Sequence, residues 1–389
     1  MAFQALRGFR DFYPEEMAVR RYIEQAWHGA ARAAGFEEID GPPLESLDLL
    51  KAKSGDAIVE EIYAFEDKGG REVGLRPEFT PTLGRMVAER AASLKKPLKW
   101  YCVPQLFRYQ RQQRGRLREH IQWNVDIVGA AKIEADMECV AVAVDALRRL
   151  GLTSDHVRVR INHRGVVEEC IRAHGISDVE ATLQLIDKGK LDESLAADLL
   201  VECRDSVAAE LAGFFQGADD YGIGEFIEID SGIVRGLAYY TGIVWEIFDR
   251  GHKLRAIAGG GRYDRLIETL GGPSMPALGF GMGDVVLAGV LEDLKLLPDR
   301  PPRLDVMVLP IGEEMAGPAR RVVRHLRDRE LCAEAPYSPV KLGKGFQAAE
   351  AAGARRAVIV GRNEWDDGAV TVKDLDSGEQ SVVRLEDLS

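Results

Sequence analysis

The 389-residue sequence has no stretch approaching the ~18 uninterrupted apolar residues that a membrane-spanning helix needs, which excludes a helical span. Its opening residues, MAFQALRGFR, carry Arg7 and Arg10 where a secretory leader would have its apolar core. A cytoplasmic location is the expectation. Cysteine is scarce: Cys102, Cys139, Cys170, Cys203 and Cys332 are odd in number, scattered, and form no C-x-x-C pair. That excludes the common zinc and redox motifs and predicts reduced core thiols. There is no surplus of positive charge either, since 51 basic residues against 63 acidic ones give a formal net charge of −12. Generic adhesion to polyanions is therefore disfavoured, and any nucleic-acid contact must come from a local patch. The G-x-G-x-x-G dinucleotide fingerprint, internal repeats and low-complexity tracts are also missing.

What remains is an ordinary globular composition, 46% hydrophobic and 29% charged. At roughly 100 to 200 residues per domain, the length predicts two or three domains. Residues 14 to 34 read as an amphipathic helix: Pro14 suits its start, Met17, Ile23 and Trp27 recur among charged residues, and Gly35 suits its stop. A strand-like GFEEIDGPPLE follows, then VGLRPEFTP, a helix from about Thr82, and the apolar LKWYCVPQLFRY. The segment HIQWNVDIVG alternates strictly, with Ile121, Trp123, Val125 and Ile127 on one face and His120, Gln122, Asn124 and Asp126 on the other. One face should pack on a core, and the other should line something polar.

Residues 166–222 lose the strand signal and read as short helices with acidic loops, a helical insertion between core parts at 1–165 and 223–298. Strand patterns return with EFIEID, RGLAYYTGIVWEIFD and AIAGGGRYDRL. Adjacent residues on a strand point oppositely, so Tyr239 and Tyr240 are expected on opposite faces. Pro298, Pro301 and Pro302 in the charged stretch KLLPDRPPRLD mark a linker. Beyond it, a βαβαβ order over 299–389 predicts a small α/β domain with a mostly parallel sheet.

Against the acidic background, RYQRQQRGRLR places arginines at 108, 111, 114, 116 and 118. Composition alone favours a solvated hairpin loop, with a polyanion site as the alternative. Other stretches are hard to explain by packing. RPEFT (Arg76 to Thr80) sets a carboxylate and a hydroxyl beside a proline, and IDSGIVRGLAYYTG sets Arg235 among tyrosines. The glycines of AGGGRYD would admit a backbone or ligand, or would simply make a tight turn.

Taken in this order, these stretches resemble the class II aminoacyl-tRNA synthetases, and within them the histidyl-tRNA synthetase family. GFEEIDGPPLE, with Pro42, is similar to the first class signature; FRYQ, the arginine loop and REHIQWNVDIVG are similar to the second. RGLAYYTG and GGGRYDRL resemble the two histidine-specific signatures, and the segment from VKLGKGF to DLDSGE resembles the anticodon-binding domain. The resemblance implies an α+β fold: an antiparallel sheet with flanking helices, plus the small C-terminal α/β domain. It also implies a two-step reaction in which L-histidine attacks the α-phosphate of ATP, with Mg²⁺ on the phosphates, and the adenylate then acylates histidine tRNA. A homodimer is implied, because the class builds its site beside a two-fold interface.

Carried over residue by residue, the resemblance makes Arg108 and Arg235 the catalytic cations, since guanidinium forks match phosphate oxygens. Arg108 and Gln110 become ATP contacts. Glu78, Thr80 and Gln122 fall around the histidine α-amino group, and Asp126, Tyr240 and Tyr263 near its imidazole, which leaves Tyr239, pointing the opposite way from Tyr240 on a strand, for the core. A carboxylate that accepts the imidazole N–H gives selectivity, because an analogue lacking that donor leaves it unpaired. Arg111, Arg114 and Arg116 would approach the tRNA acceptor end.

Three positions depart from the pattern. Gln110 replaces the usual glutamate of the second signature, Val286 the arginine that ends the third, and Ala238 an aspartate; the insertion is also short. Gln110 and the short insertion favour a rival reading, a catalytically inactive paralogue that binds histidine, such as the regulatory subunit of ATP phosphoribosyltransferase. A weaker third reading is an RNA-binding sensor without chemistry. Arg108, Arg235, the arginine loop and the anticodon-like domain favour the enzyme.

Overall fold

A computed structural model describes residues 3–388 apart from 55–59, 112, 114, 188, 192, 235–238, 252–253, 299–303 and 339, and without the side chains of 53–54, 193–198 and 202. The chain forms two compact units, Met1–Leu297 and Pro298–Ser389.

The first unit is organised by a nine-stranded sheet, ordered Glu37–Glu38, Leu98–Cys102, Glu119–Val128, Ala277–Gly283, Ala258–Arg262, Ile243–Asp249, Val157–His163 and Ile227–Ile229, with Gln105–Phe107 also paired to the 119–128 strand. The outermost pairings at each end are parallel and all the others antiparallel. The alternation read from the sequence fixes which way the central strand faces. Ile121, Trp123, Val125 and Ile127 enter a core with the helices Pro14–Ala33 and Ile133–Arg149. There Trp27 stacks on Trp123 at 6.1 Å, and Trp123 meets the edge of Phe280 at 5.0 Å.

The helix at 14–33 starts on Pro14, has Glu15 and Glu16 in its first turn and Arg32 in its last, and is followed by Gly35 at φ +74°. Those charges suit the helix dipole, and the left-handed glycine ends the helix without a Cβ clash. Between the strands Val157–His163 and Ile227–Ile229 lie the helices Arg164–Ala173, Val179–Asp187, Glu193–Glu210 and Ala212–Asp220. Their apolar residues, among them Leu183, Val207 and Phe214, join the same core.

On the other face of the sheet lies a second cluster, with Phe79, Leu83 and Val87 packed against Leu98, Val128 and Val244. It seats the helix Thr80–Arg90, which begins two residues before the expected Thr82 because Pro81 is well tolerated in a first turn. Arg76 braces the preceding loop, donating to the carbonyl of Gly41 at 2.6 Å and to Asp40 Oδ1 at 3.2 Å.

The second unit holds the sheet Ala333–Glu334, Val306–Pro310, Arg356–Val360, Ala369–Asp374, Gln380–Arg384 in that spatial order. The first two pairings are parallel and the last two antiparallel. A mostly parallel sheet was expected; the hairpin through DLDSGE adds an antiparallel half. The thiols also divide differently from expectation. Cys102, Cys139 and Cys203 are buried, whereas Cys170 is half-buried and Cys332 exposed.

Candidate active site

The polar face of the 119–128 strand opens onto a cavity of about 820 Å³, lined by all four of its members, His120, Gln122, Asn124 and Asp126. The floor beside it is cleared by glycine. On the neighbouring strand, Leu278, Phe280 and Met282 point into the core. Gly279, Gly281 and Gly283 stand opposite Asp126, Asn124 and Gln122 on the cavity side. A Cβ on Gly279 would lie 2.4 Å from Asp126 Oδ1 and 2.6 Å from the Tyr263 hydroxyl. One on Gly281 would lie 2.7 Å from the Gln122 side chain. The glycine run at 258–262 is likewise a strand in mid-sheet and not a turn before a helix.

At one part of this cavity the Tyr263 hydroxyl donates to Asp126 Oδ1. Burial first, and then the Asp126 charge, push the Tyr263 phenol well above its ordinary value, so it remains a donor. Tyr240 lies 6.3 Å from the Tyr263 ring. Tyr239, expected in the core, instead lines the cavity, with its ring 4.6 Å from that of Tyr240. The reason is local: the strand starts only at Ile243, so the alternation that opposed the two tyrosines does not apply. Glu78 and Thr80 reach the same cavity from the start of the 80–90 helix, completing with Gln122 the set expected around an amino acid.

The arginine loop contributes Arg108, Gln110 and Arg116 to the cavity. Arg108 Nε donates to the carbonyl of Pro77 at 2.9 Å. His120, between Arg108 and Arg10, is driven to about 3, by burial first and then by those two like charges. It is therefore neutral at physiological pH, and arginine supplies the positive charge here. Arg111 lines a separate cavity of about 480 Å³ with Arg7 and Arg118. Arg116 was grouped with Arg111 on the tRNA side, but it faces the principal cavity. Arg114, Arg235 and Ala238 lie outside the described residues.

The histidyl-tRNA synthetase family matches over residues 8–197 and 186–283, and an anticodon binding domain over 305–389. The chain belongs to the histidyl-tRNA synthetase family. It is 38% identical to a histidine–tRNA ligase, chloroplastic/mitochondrial, of Arabidopsis thaliana, over 98% of this chain and 85% of that protein. The crystal structure of histidyl-tRNA synthetase from Nostoc sp. PCC 7120 superposes with a TM-score of 0.82 at 27% identity, covering 100% of this chain and 98% of that one. A Bacillus halodurans structure described as an ATP phosphoribosyltransferase regulatory subunit/histidyl-tRNA synthetase shares the fold, with a TM-score of 0.75 at 20% identity, covering 88% and 95% of the two chains.

Within this family framework the departure at Gln110 has a local explanation. Gln110 Nε2 donates to the Glu61 carboxylate, and both side chains line the cavity. A carboxylate does stand at this wall, contributed by Glu61. A glutamate at 110 would set two like charges together, whereas Gln110 makes a matched amide–carboxylate pair. Sequence reading missed Glu61 and Arg255, both of which line the cavity. Glu61 lies in an acidic stretch without periodicity. Arg255 lies three residues before the glycine strand, and that position was the available signal.

Proposed function

We propose that this chain is a histidine–tRNA ligase that activates L-histidine with ATP and transfers it to the terminal ribose of histidine tRNA. The observation that carries the reading is a single cavity holding a buried aspartate–tyrosine pair together with Arg108 and Arg116. In this reading the imidazole N–H donates to Asp126, whose Oδ1 is held by Tyr263. Glu78, Thr80 and Gln122 receive the α-ammonium group. The histidine carboxylate oxygen then bonds to the α-phosphorus, the bond from that phosphorus to the α–β bridging oxygen breaks, and pyrophosphate leaves with the electron pair. Such displacement depends on cations fixed where charge accumulates more than on a general base. Arg108 takes that role here, with Arg235 assigned beside it from the signature alone. A ribose hydroxyl of the tRNA next attacks the acyl carbon, and AMP departs.

Mg²⁺, bound with ATP, would supply counter-charge to the phosphates. Glu61 and Glu246 line the cavity and offer the hard oxygen donors Mg²⁺ prefers alongside phosphate and water. The second unit, matched by an anticodon binding domain, is proposed to hold the anticodon, Arg111 and Arg114 to contact the acceptor end, and the working form to be a homodimer. No described helix is long and apolar enough to cross a membrane.

The test of the amino-acid pocket is Asp126→Asn. The amide keeps the volume and the bond from Tyr263 but gives up the charge-assisted bond to imidazole, about 1.5 to 3 kcal/mol. The histidine KM in pyrophosphate exchange should rise roughly tenfold or more, with the melting temperature little changed. An unchanged histidine KM would remove Asp126 from recognition.

A further inference from the structure

Among the described residues three arginines line the cavity: Arg108 and Arg116 from the arginine loop, and Arg255 from the segment leading into the glycine strand. Arg255 Nη2 donates to Gln113 Oε1 at 3.2 Å, which ties that segment to the loop. Among the described residues, none of the three forms an ion pair with a carboxylate. Arg116 is lowered in pKa, by burial first and then by the like charges of Arg255 and Arg108, with Glu61 opposing. Cations gathered on one wall without a direct ion pair repel one another, and the arrangement becomes favourable when a polyanion fills the space between them. Val286 lines the same cavity. It also abuts the arginine loop, since a Cβ on Gly115 would stand 3.3 Å from Val286 Cγ2. An aliphatic side chain there supplies no charge to a ligand, whereas Arg255 reaches the same cavity from another segment.

We infer that Arg255 acts with Arg116 to hold the β- and γ-phosphates of ATP and then the departing pyrophosphate, supplying the cation that Val286 does not. The inference rests on the ATP-dependent reading above. As the bond between the α-phosphorus and the bridging oxygen breaks, the electron pair stays on that oxygen, and negative charge grows on the pyrophosphate. Two guanidinium forks meet that charge, and no proton need move, because histidine attacks as a carboxylate.

The experiment compares wild type, Arg255→Ala and Arg255→Lys, by calorimetric titration with inorganic pyrophosphate in Mg²⁺ and by histidine-dependent exchange. Arg255→Ala should weaken pyrophosphate binding and raise the ATP KM by about tenfold or more, while the histidine KM stays within about twofold. Arg255→Lys should recover part of the loss. Equal pyrophosphate affinity and equal ATP KM in wild type and Arg255→Ala would overturn the inference alone, as would a defect confined to tRNA charging. A wild type silent in exchange that still binds pyrophosphate through Arg255 would overturn the ligase reading and keep the phosphate assignment. A wild type that neither exchanges nor binds pyrophosphate would overturn both.

Discussion

Arg108→Ala is expected to slow histidine-dependent exchange of pyrophosphate into ATP by about 10²- to 10³-fold, the effect of removing one preorganised charge-stabilising group from a displacement. The side chain is set before substrate arrives. Its backbone N–H donates to the carbonyl of Arg118 at 2.9 Å, and its Nε to the carbonyl of Pro77 at 2.9 Å. Both anchors are main-chain groups, so the guanidinium is fixed at the cavity wall and costs little reorganisation during the reaction. The loss should fall on the chemical step, because Asp126 and Tyr263 hold each other independently of Arg108. Arg108→Lys should recover little, since an ammonium is a point charge without the planar fork. Activity within tenfold of wild type in the alanine variant would exclude Arg108 as the principal cation.

The second large effect is on stability. Arg262→Ala is expected to destabilise the protein by about 3 to 5 kcal/mol, read as a shift in denaturant unfolding, because it leaves a buried carboxylate without its cation. Arg262 belongs to the same GGGRYDRL stretch as Tyr263 but points away from ligand chemistry. Its Nη2 and Nε donate to Asp136, its Nη1 to Asp264 Oδ1 at 3.2 Å and to the carbonyl of Ala130 at 3.1 Å. Asp136 opens the 133–149 helix and is 2% exposed. Burial raises its pKa while Arg262 opposes, so the pair locks this helix to the glycine strand. Replacing both partners together, as Arg262→Met with Asp136→Leu, should recover much of the stability. A loss below about 1 kcal/mol in Arg262→Ala would contradict the buried-pair account.

Much of this arrangement is legible in the sequence where one short-range pattern decides it. Strict alternation over 120–127 fixed the face of the central strand, and with it the presence of Gln122 and Asp126 in the cavity. Pro14 and Gly35 bounded the first helix by their backbone constraints alone. Other features depend on what the chain meets in three dimensions. The glycine run could be a turn or a strand until Gly279, Gly281 and their polar partners across the sheet revealed a cleared floor. Tyr239 was misdirected because alternation was extended four residues ahead of the strand's start at Ile243. Glu61 and Arg255 carry no local motif, and they gain meaning only where Gln110 and Gln113 of the arginine loop fold against them.

The most direct measurement is charging of histidine tRNA by the purified wild-type chain with labelled amino acid, ATP and Mg²⁺. Formation of histidyl-tRNA that requires ATP and is not matched by any other amino acid is the predicted result. A chain that binds histidine yet forms neither adenylate nor histidyl-tRNA would contradict the account and leave the inactive, histidine-binding paralogue in its place.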